Sequence, residues 1–159
     1  MLLVSGGDGS LIPSGIDEAK QKVSVEESVR ESIMQYEVSV TEGQTWIYAR
    51  VYDPITKTLA LDLLQDVARR ATKHGIDNLL IDARGAPSMK SSIEDYNIIN
   101  YRLEELGFKR WSKSAIVVDP EDKTHHFFET CTKNAGYNWR VFSDADHATQ
   151  WLDSVQPVS

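Results

Sequence analysis

The chain has one cysteine, Cys131. A lone thiol excludes an intrachain disulfide and fits a reducing compartment. Long hydrophobic runs are also missing, so no transmembrane segment is expected. The N-terminal Met1-Leu2-Leu3-Val4 is too short for a signal peptide, and no basic region precedes it. The expectation is a soluble, cytoplasmic protein. Positive charge is scarce: 17 Lys and Arg stand against 24 Asp and Glu, a net charge of -7. Such a surface repels phosphate backbones on average, which argues against a nucleic-acid partner. The Gly-rich run Ser5–Ser10 lacks the Gly-Lys-Ser/Thr ending that cradles a phosphate. No cofactor motif and no catalytic motif is found.

What is present is enough for one ordinary domain. The 159 residues are 41% hydrophobic and 26% charged, a balance that folds without metals or disulfides. Residues 1–33 read as an N-terminal extension, partly flexible or docked. Residues 34–155 read as the domain, and 156–159 as a tail. Tyr36, Val38 and Val40 alternate with polar residues, as do Ile47, Ala49 and Val51 after the turn at Glu42-Gly43. These are two strands of an antiparallel hairpin. Leu59 to His74 has helical spacing, ending in Arg69, Arg70, Lys73 and His74 before a capping Gly75. The continuous apolar run Leu79–Ala83 marks a strand buried on both faces.

A second helix is expected from Ser92 to Leu106, with Ile93, Tyr96, Ile99 or Asn100, Leu103 and Leu106 inward. Ala115–Val118 is the next strand. Pro120 suits the first turn of a third helix that carries Phe127, Phe128, Cys131 and Ala135 inward. Trp139–Phe142 is the last strand. Ser143 opens a final helix, with Asp146 completing its capping box and Ala148, Trp151 and Leu152 packing it down. Strict alternation after the hairpin implies parallel strands.

Four stretches resemble the SpoIIAA-like, or STAS/SEC14-like, domain family of small bacterial proteins. They are the paired strands before the first helix, Leu79–Gly85, Ala115–Val118, and Arg140-Val141-Phe142-Ser143-Asp144 followed by Ala148 and Trp151-Leu152. The resemblance spans roughly residues 34 to 153. It implies an α/β fold, a SpoIIAA-like β-α superhelix. Its five-stranded, mostly parallel sheet has an antiparallel edge strand and is packed with four helices. In one branch of the family, a serine of an Asp-Ser-Ser-Gly motif is phosphorylated to switch partners. That motif falls on Lys90-Ser91-Ser92-Ile93, where both serines match and the flanking residues differ. The other branch, SEC14-like domains, encloses an apolar ligand.

The candidate contact residues follow. Asp82, Arg84 and Gly85 close the central strand at its carboxyl end, where open α/β sheets place ligands. An ion pair that steadies the turn explains them equally. Ser91 and Ser92 cap the second helix, with Glu94 or Asp95 completing a capping box, or they form a phosphorylatable switch. Trp46, Tyr48 and Tyr52 line one strand face. The resemblance implies helices on only one side of the sheet; that stripe would then need the N-terminal segment, a second subunit or an apolar ligand to cover it, unless these side chains are buried core. His125 and Glu129 could form a weak two-ligand metal site. Phe108–Lys113 interleaves basic and aromatic residues, a pattern that can bind single strands, though as one short loop in an acidic domain. The reading is a non-enzymatic interaction or regulatory module, with a homodimer or a protein as partner. The alternative is a binder of a small apolar ligand or lipid.

Overall fold

A computed structural model of the chain describes residues 34–40, 43 and 45–154. The expectations for residues 1–33 and for the tail lie outside these. Strands β1 (Tyr36–Ser39), β2 (Trp46–Val51), β3 (Asn78–Asp82), β4 (Lys113–Val117) and β5 (Asn138–Phe142) form one sheet in the order β1-β2-β3-β4-β5. β1 pairs with β2 antiparallel, and all other pairs are parallel. This is the mixed sheet that the SpoIIAA-like resemblance implies.

Alternation within each strand sorts the core. Ile47, Ala49, Val51, Leu79, Ile81, Ile116 and Trp139 face one side. There they meet helix α1 (Lys57–His74) through Leu59, Leu63, Leu64 and Val67, and two further helices through Ile98, Ile99, Leu103 and Phe128. Thr56 caps the start of α1, and Gly75 ends it in the left-handed region at φ 66°. Leu80, Ala115 and Val117 face the other side and pack on Ala148 and Leu152. These two belong to the last helix, Ala145–Asp153. That helix therefore crosses to the opposite face, and the expectation that helices cover only one side does not hold. Its cap is Asp144, which accepts from the Asp146 and His147 amides, and not Ser143.

The helix after β3, α2, departs furthest from expectation. It runs as α-helix over Ser92–Asn97, as π-helix over Ile98–Arg102, and again as α-helix over Leu103–Glu105. The Leu103 amide reaches back five residues to the Ile98 carbonyl. A π-turn accommodates one extra residue and turns the helix before it by about 100° relative to the helix after it. The inward positions are consequently Asp95, Ile98, Ile99 and Leu103. Ile93 and Tyr96, expected inside, are 72% and 52% exposed, and Asn100 is exposed as well. Leu103 is fully buried as expected.

Helix α3 covers His126–Asn134, starting six residues after Pro120 because Asp119–Thr124 form a turn of their own. Its inward residues are Phe128 and Thr132; Phe127 is exposed and Cys131 is half-buried. Phe128 stacks edge-on against Trp139 at 5.4 Å. Helix α4 is Ala145–Asp153. Lys113, expected in a solvated loop, is a buried β4 residue. Its Nζ donates to the Trp151 carbonyl (2.9 Å) and to Ser154 Oγ (3.0 Å), where a cation complements the C-terminus of α4. On the outer edge of β5, the Val141 amide donates to Glu129 Oε2 at 2.7 Å.

The π-turn makes a testable division within one helix. Leu103→Ala should lower stability by about 2–5 kcal/mol, as for a fully buried leucine. Ile93→Ala should change it by less than about 0.5 kcal/mol. Urea unfolding midpoints at unchanged slope report both. Equal losses at the two positions would mean that the helix packs in the register expected from its sequence.

Candidate functional site

The residues at the carboxyl ends of β2 and β3 converge on one carboxylate. Asp82 is buried, and its two oxygens take a forked pair of bonds from Arg84, Nε at 2.9 Å and Nη2 at 2.7 Å. Arg50 Nη1 approaches from β2 at 3.0 Å, the Arg84 amide donates at 3.2 Å, and the Tyr48 hydroxyl lies at 3.4 Å. Burial alone raises the pKa of the Asp82 carboxyl. The Arg84 hydrogen bonds and the two guanidinium charges outweigh it and hold the group below its ordinary value. Gly85 follows at φ 81°, a conformation that disfavours any side chain, and its amide donates to Asp119 Oδ2 at 2.7 Å. Asp82 and Arg84 thus meet each other and fix the turn.

Of the aromatic row, Trp46 and Tyr48 are half-buried and pack against the cluster that α4 covers. Tyr52 is half-buried, its hydroxyl donates to Glu37 at 3.2 Å, and the Arg50 guanidinium lies over its ring at 5.4 Å. The open aromatic stripe expected there is accordingly replaced by a partly covered face.

The loop from Ala83 to Lys90 is held on both flanks. Ile55 donates to the Pro87 carbonyl and accepts from the Met89 amide, each at 2.8 Å. His125 Nε2 lies 3.0 Å from the Ala86 carbonyl, and Ser88 N donates to Thr124 Oγ1 at 2.8 Å. Ser91 caps α2: its hydroxyl accepts from the Glu94 amide (3.1 Å), and Glu94 accepts from the Ser91 amide (2.9 Å). This is the capping box expected, with Glu94 as its acid. Ser92 is the first helical residue and is exposed.

Beneath that cap lies a group of charges that sequence reasoning missed. Lys90 Nζ sits 3.1 Å from Asp95 Oδ1, with both side chains buried. It also donates to Ser88 Oγ at 2.8 Å and lies 5.1 Å from the centre of the Phe128 ring. The contact is an ion pair without hydrogen-bond alignment, since Oδ1 has no hydrogen-bond partner. Burial raises the Asp95 pKa more than the Lys90 charge lowers it. Burial also lowers the pKa of His125, against the pull of the Ala86 carbonyl and Asp122. A single Asp on a helix predicted to turn it outward gives no sequence signal for this pair.

On the same stretch, large apolar side chains are exposed. Met89 is 64% exposed and Tyr101 60%, alongside Ile93 and Tyr96, and the Tyr96 and Tyr101 rings meet edge-on at 6.5 Å. At the opposite end of the strands, a groove of about 420 Å³ separates α1 from the end of α2. It is lined by Leu106, Phe108 and Lys109 over the buried Ile47, Val67 and Leu79, and Lys109 pairs there with Asp77 (2.9 Å). In the Phe108–Lys113 stretch, Phe108 packs on Trp139, Arg110 covers Tyr137 at 4.5 Å, and Lys113 is buried. His125 turns to Ala86 and Glu129 to Val141, so that pair does not converge. Among the described residues, no three His, Cys, Asp or Glu side chains could hold a metal ion. Among them, too, no helix is long and apolar enough to cross a membrane.

No family model matches the chain, and no curated protein matches it. Among solved structures, it is similar to an uncharacterized protein from the DUF3478 family with a SpoIIAA-like fold, from Shewanella loihica PV-4. The identity is 18% over 74% of this chain and 91% of the other, with a TM-score of 0.44. A likeness at that level carries no argument about activity.

Two outcomes test these clusters. Asp82→Asn leaves two guanidinium groups facing a neutral amide and should cost about 2 kcal/mol in urea unfolding; a loss within error would mean that the carboxylate does not anchor the turn. For His125, the unfolded chain takes up its proton first as pH falls. Its contribution is therefore complete above the unfolded value of 6.5 and is lost as pH falls through the lower folded value. Asp95, displaced upward, acts in the opposite sense, weakening the fold as pH rises through its folded value. Subtracting the stability–pH profile of His125→Gln from that of the wild type should leave a decline below pH 6.5. A flat difference would place His125 in water.

Proposed function

We propose that this chain is a non-enzymatic interaction and regulatory module whose contact face is the outer surface of α2 and the loop before it. One observation carries the reading: Met89, Ile93, Tyr96 and Tyr101 are large, apolar and exposed together on one short stretch. Clustered apolar side chains in water mark contact surfaces far more often than scattered ones do. None of the four is charged, on a chain of net charge -7. Contact made through these side chains lets two acidic copies meet without opposing like charges there. A second copy, in a two-fold dimer, is therefore the partner it fits. The clamped loop behind the face means that little ordering is needed on binding.

A second reading, a binder of a small apolar molecule, is favoured by the groove between α1 and the end of α2. Its volume of about 420 Å³ lies within the range of small-molecule sites.

Native mass spectrometry of the purified chain tests both. Dimers that Ile93→Glu with Tyr96→Glu convert to monomers support the module; a retained mass on a monomer supports the binder. Bare monomers over the whole accessible concentration range, with no partner captured, overturn the two together.

A further inference from the structure

Helix α2 buries the wrong residue for its sequence. Counting back from Leu103, an uninterrupted α-helix points Ile99, Tyr96 and then Ile93 or Ser92 to the core. In the structure that stripe is Leu103, Ile98 with Ile99, and Asp95. A carboxylate, 3% exposed, occupies the place that the α-helical register would give to a tyrosine. The difference is one residue, the number that a π-turn absorbs.

Two contacts hold this register. Lys90 attracts Asp95 inward across 3.1 Å. The Asn100 side-chain amide donates to the Tyr96 carbonyl at 3.0 Å, supplying a donor within the widened turn. A small pocket of about 40 Å³, partly open to solvent, is lined by Lys90, His125 and Phe128 among apolar residues. The structure shows one register, and the apolar spacing of the sequence fits another. One is favoured by an ion pair, the other by apolar burial.

We infer that the Lys90–Asp95 pair sets the register of α2 and thereby the exposure of the contact face. With the pair made, the π-turn persists and Ile93 and Tyr96 face solvent. With a polar or charged side chain at position 95 left unpaired, the helix relaxes to the uninterrupted α register, that side chain turns out, and Ile93 and Tyr96 turn toward the core. The regulatory meaning rests on the reading of this surface as the contact face; the change of register does not. Two other ionisable groups face Asp95: His125 at the head of α3 and Glu94 on its own helix.

The test reads exposure directly. A thiol placed by Ile93→Cys, in a Cys131→Ser background, is labelled at a rate proportional to the population that exposes it. Asp95→Lys sets two ammonium groups together and should slow labelling by about tenfold, equivalent to a tenfold shift in that population. Adding Lys90→Glu to Asp95→Lys restores a pair of opposite sign and should restore the rate. Asp95→Leu, which favours the inward position without charge, should leave the rate as in the parent. If Asp95→Lys does not fold, Asp95→Asn decides, with a slower rate expected. An unchanged rate in every folded charge variant, or equal slowing in Asp95→Leu, overturns the inference. Labelling reports the register whether or not any copy binds. Absence of dimers therefore leaves this result standing, and an unchanged rate leaves the mass spectra standing.

Discussion

Lys90 and Asp95 sit out of water, and each is tolerable there chiefly because of the other. A buried charge costs several kcal/mol unless a partner compensates it, and here the partner arrives from the loop that β3 feeds. The carbonyl end of the sheet is consistent with that requirement. Asp82 fixes the turn with two arginines, Gly85 lets the chain reverse, and Ile55 and His125 clamp the loop from either side. Only a loop held this closely delivers an ammonium group to one point beneath a helix. The apolar face on the far side of that helix is the geometric counterpart of the buried carboxylate. Turning Asp95 in turns Ile93 and Tyr96 out.

The fold was largely legible because strand alternation and helix spacing are local signals, and the sheet merely stacks them in chain order. Ile47, Ala49 and Val51 announce a buried face by period alone, and Leu79–Ala83 announces two. What escaped was set by tertiary contacts. No spacing rule places Asp95 inside against Ile93 and Tyr96, because the π-turn that does so answers to a lysine outside the helix. Lys113 reads as one more solvated cation until α4 brings its final carbonyls to it. Trp46 and Tyr48 read as an open stripe because no strand pattern foretells that the last helix changes face. For the candidate site, the capping role of Ser91 and Glu94 was visible in sequence, whereas the charges beneath them were not.

The two ends of the sheet thus differ in kind. At the carboxyl end, charges meet their counter-charges around Asp82 and Asp95, and large apolar residues of α2 are exposed. At the amino end, a groove lies over the buried Ile47 and Leu79, with the Asp77–Lys109 ion pair beside it. The exposed apolar residues of α2 and the groove lie at opposite ends of the sheet, so an occupant of one leaves the other free.

The contact between Glu129 and the Val141 amide bears on assembly of another kind. An edge strand with bare amides is a template on which a further strand can add, and then another, without closure. On β5 a carboxylate already occupies that hydrogen-bond position, and an incoming strand would have to displace it while meeting its charge. Growth by sheet continuation, the route to fibres, is obstructed at this edge. Copies that meet by α2 instead, across a two-fold axis, stop at two.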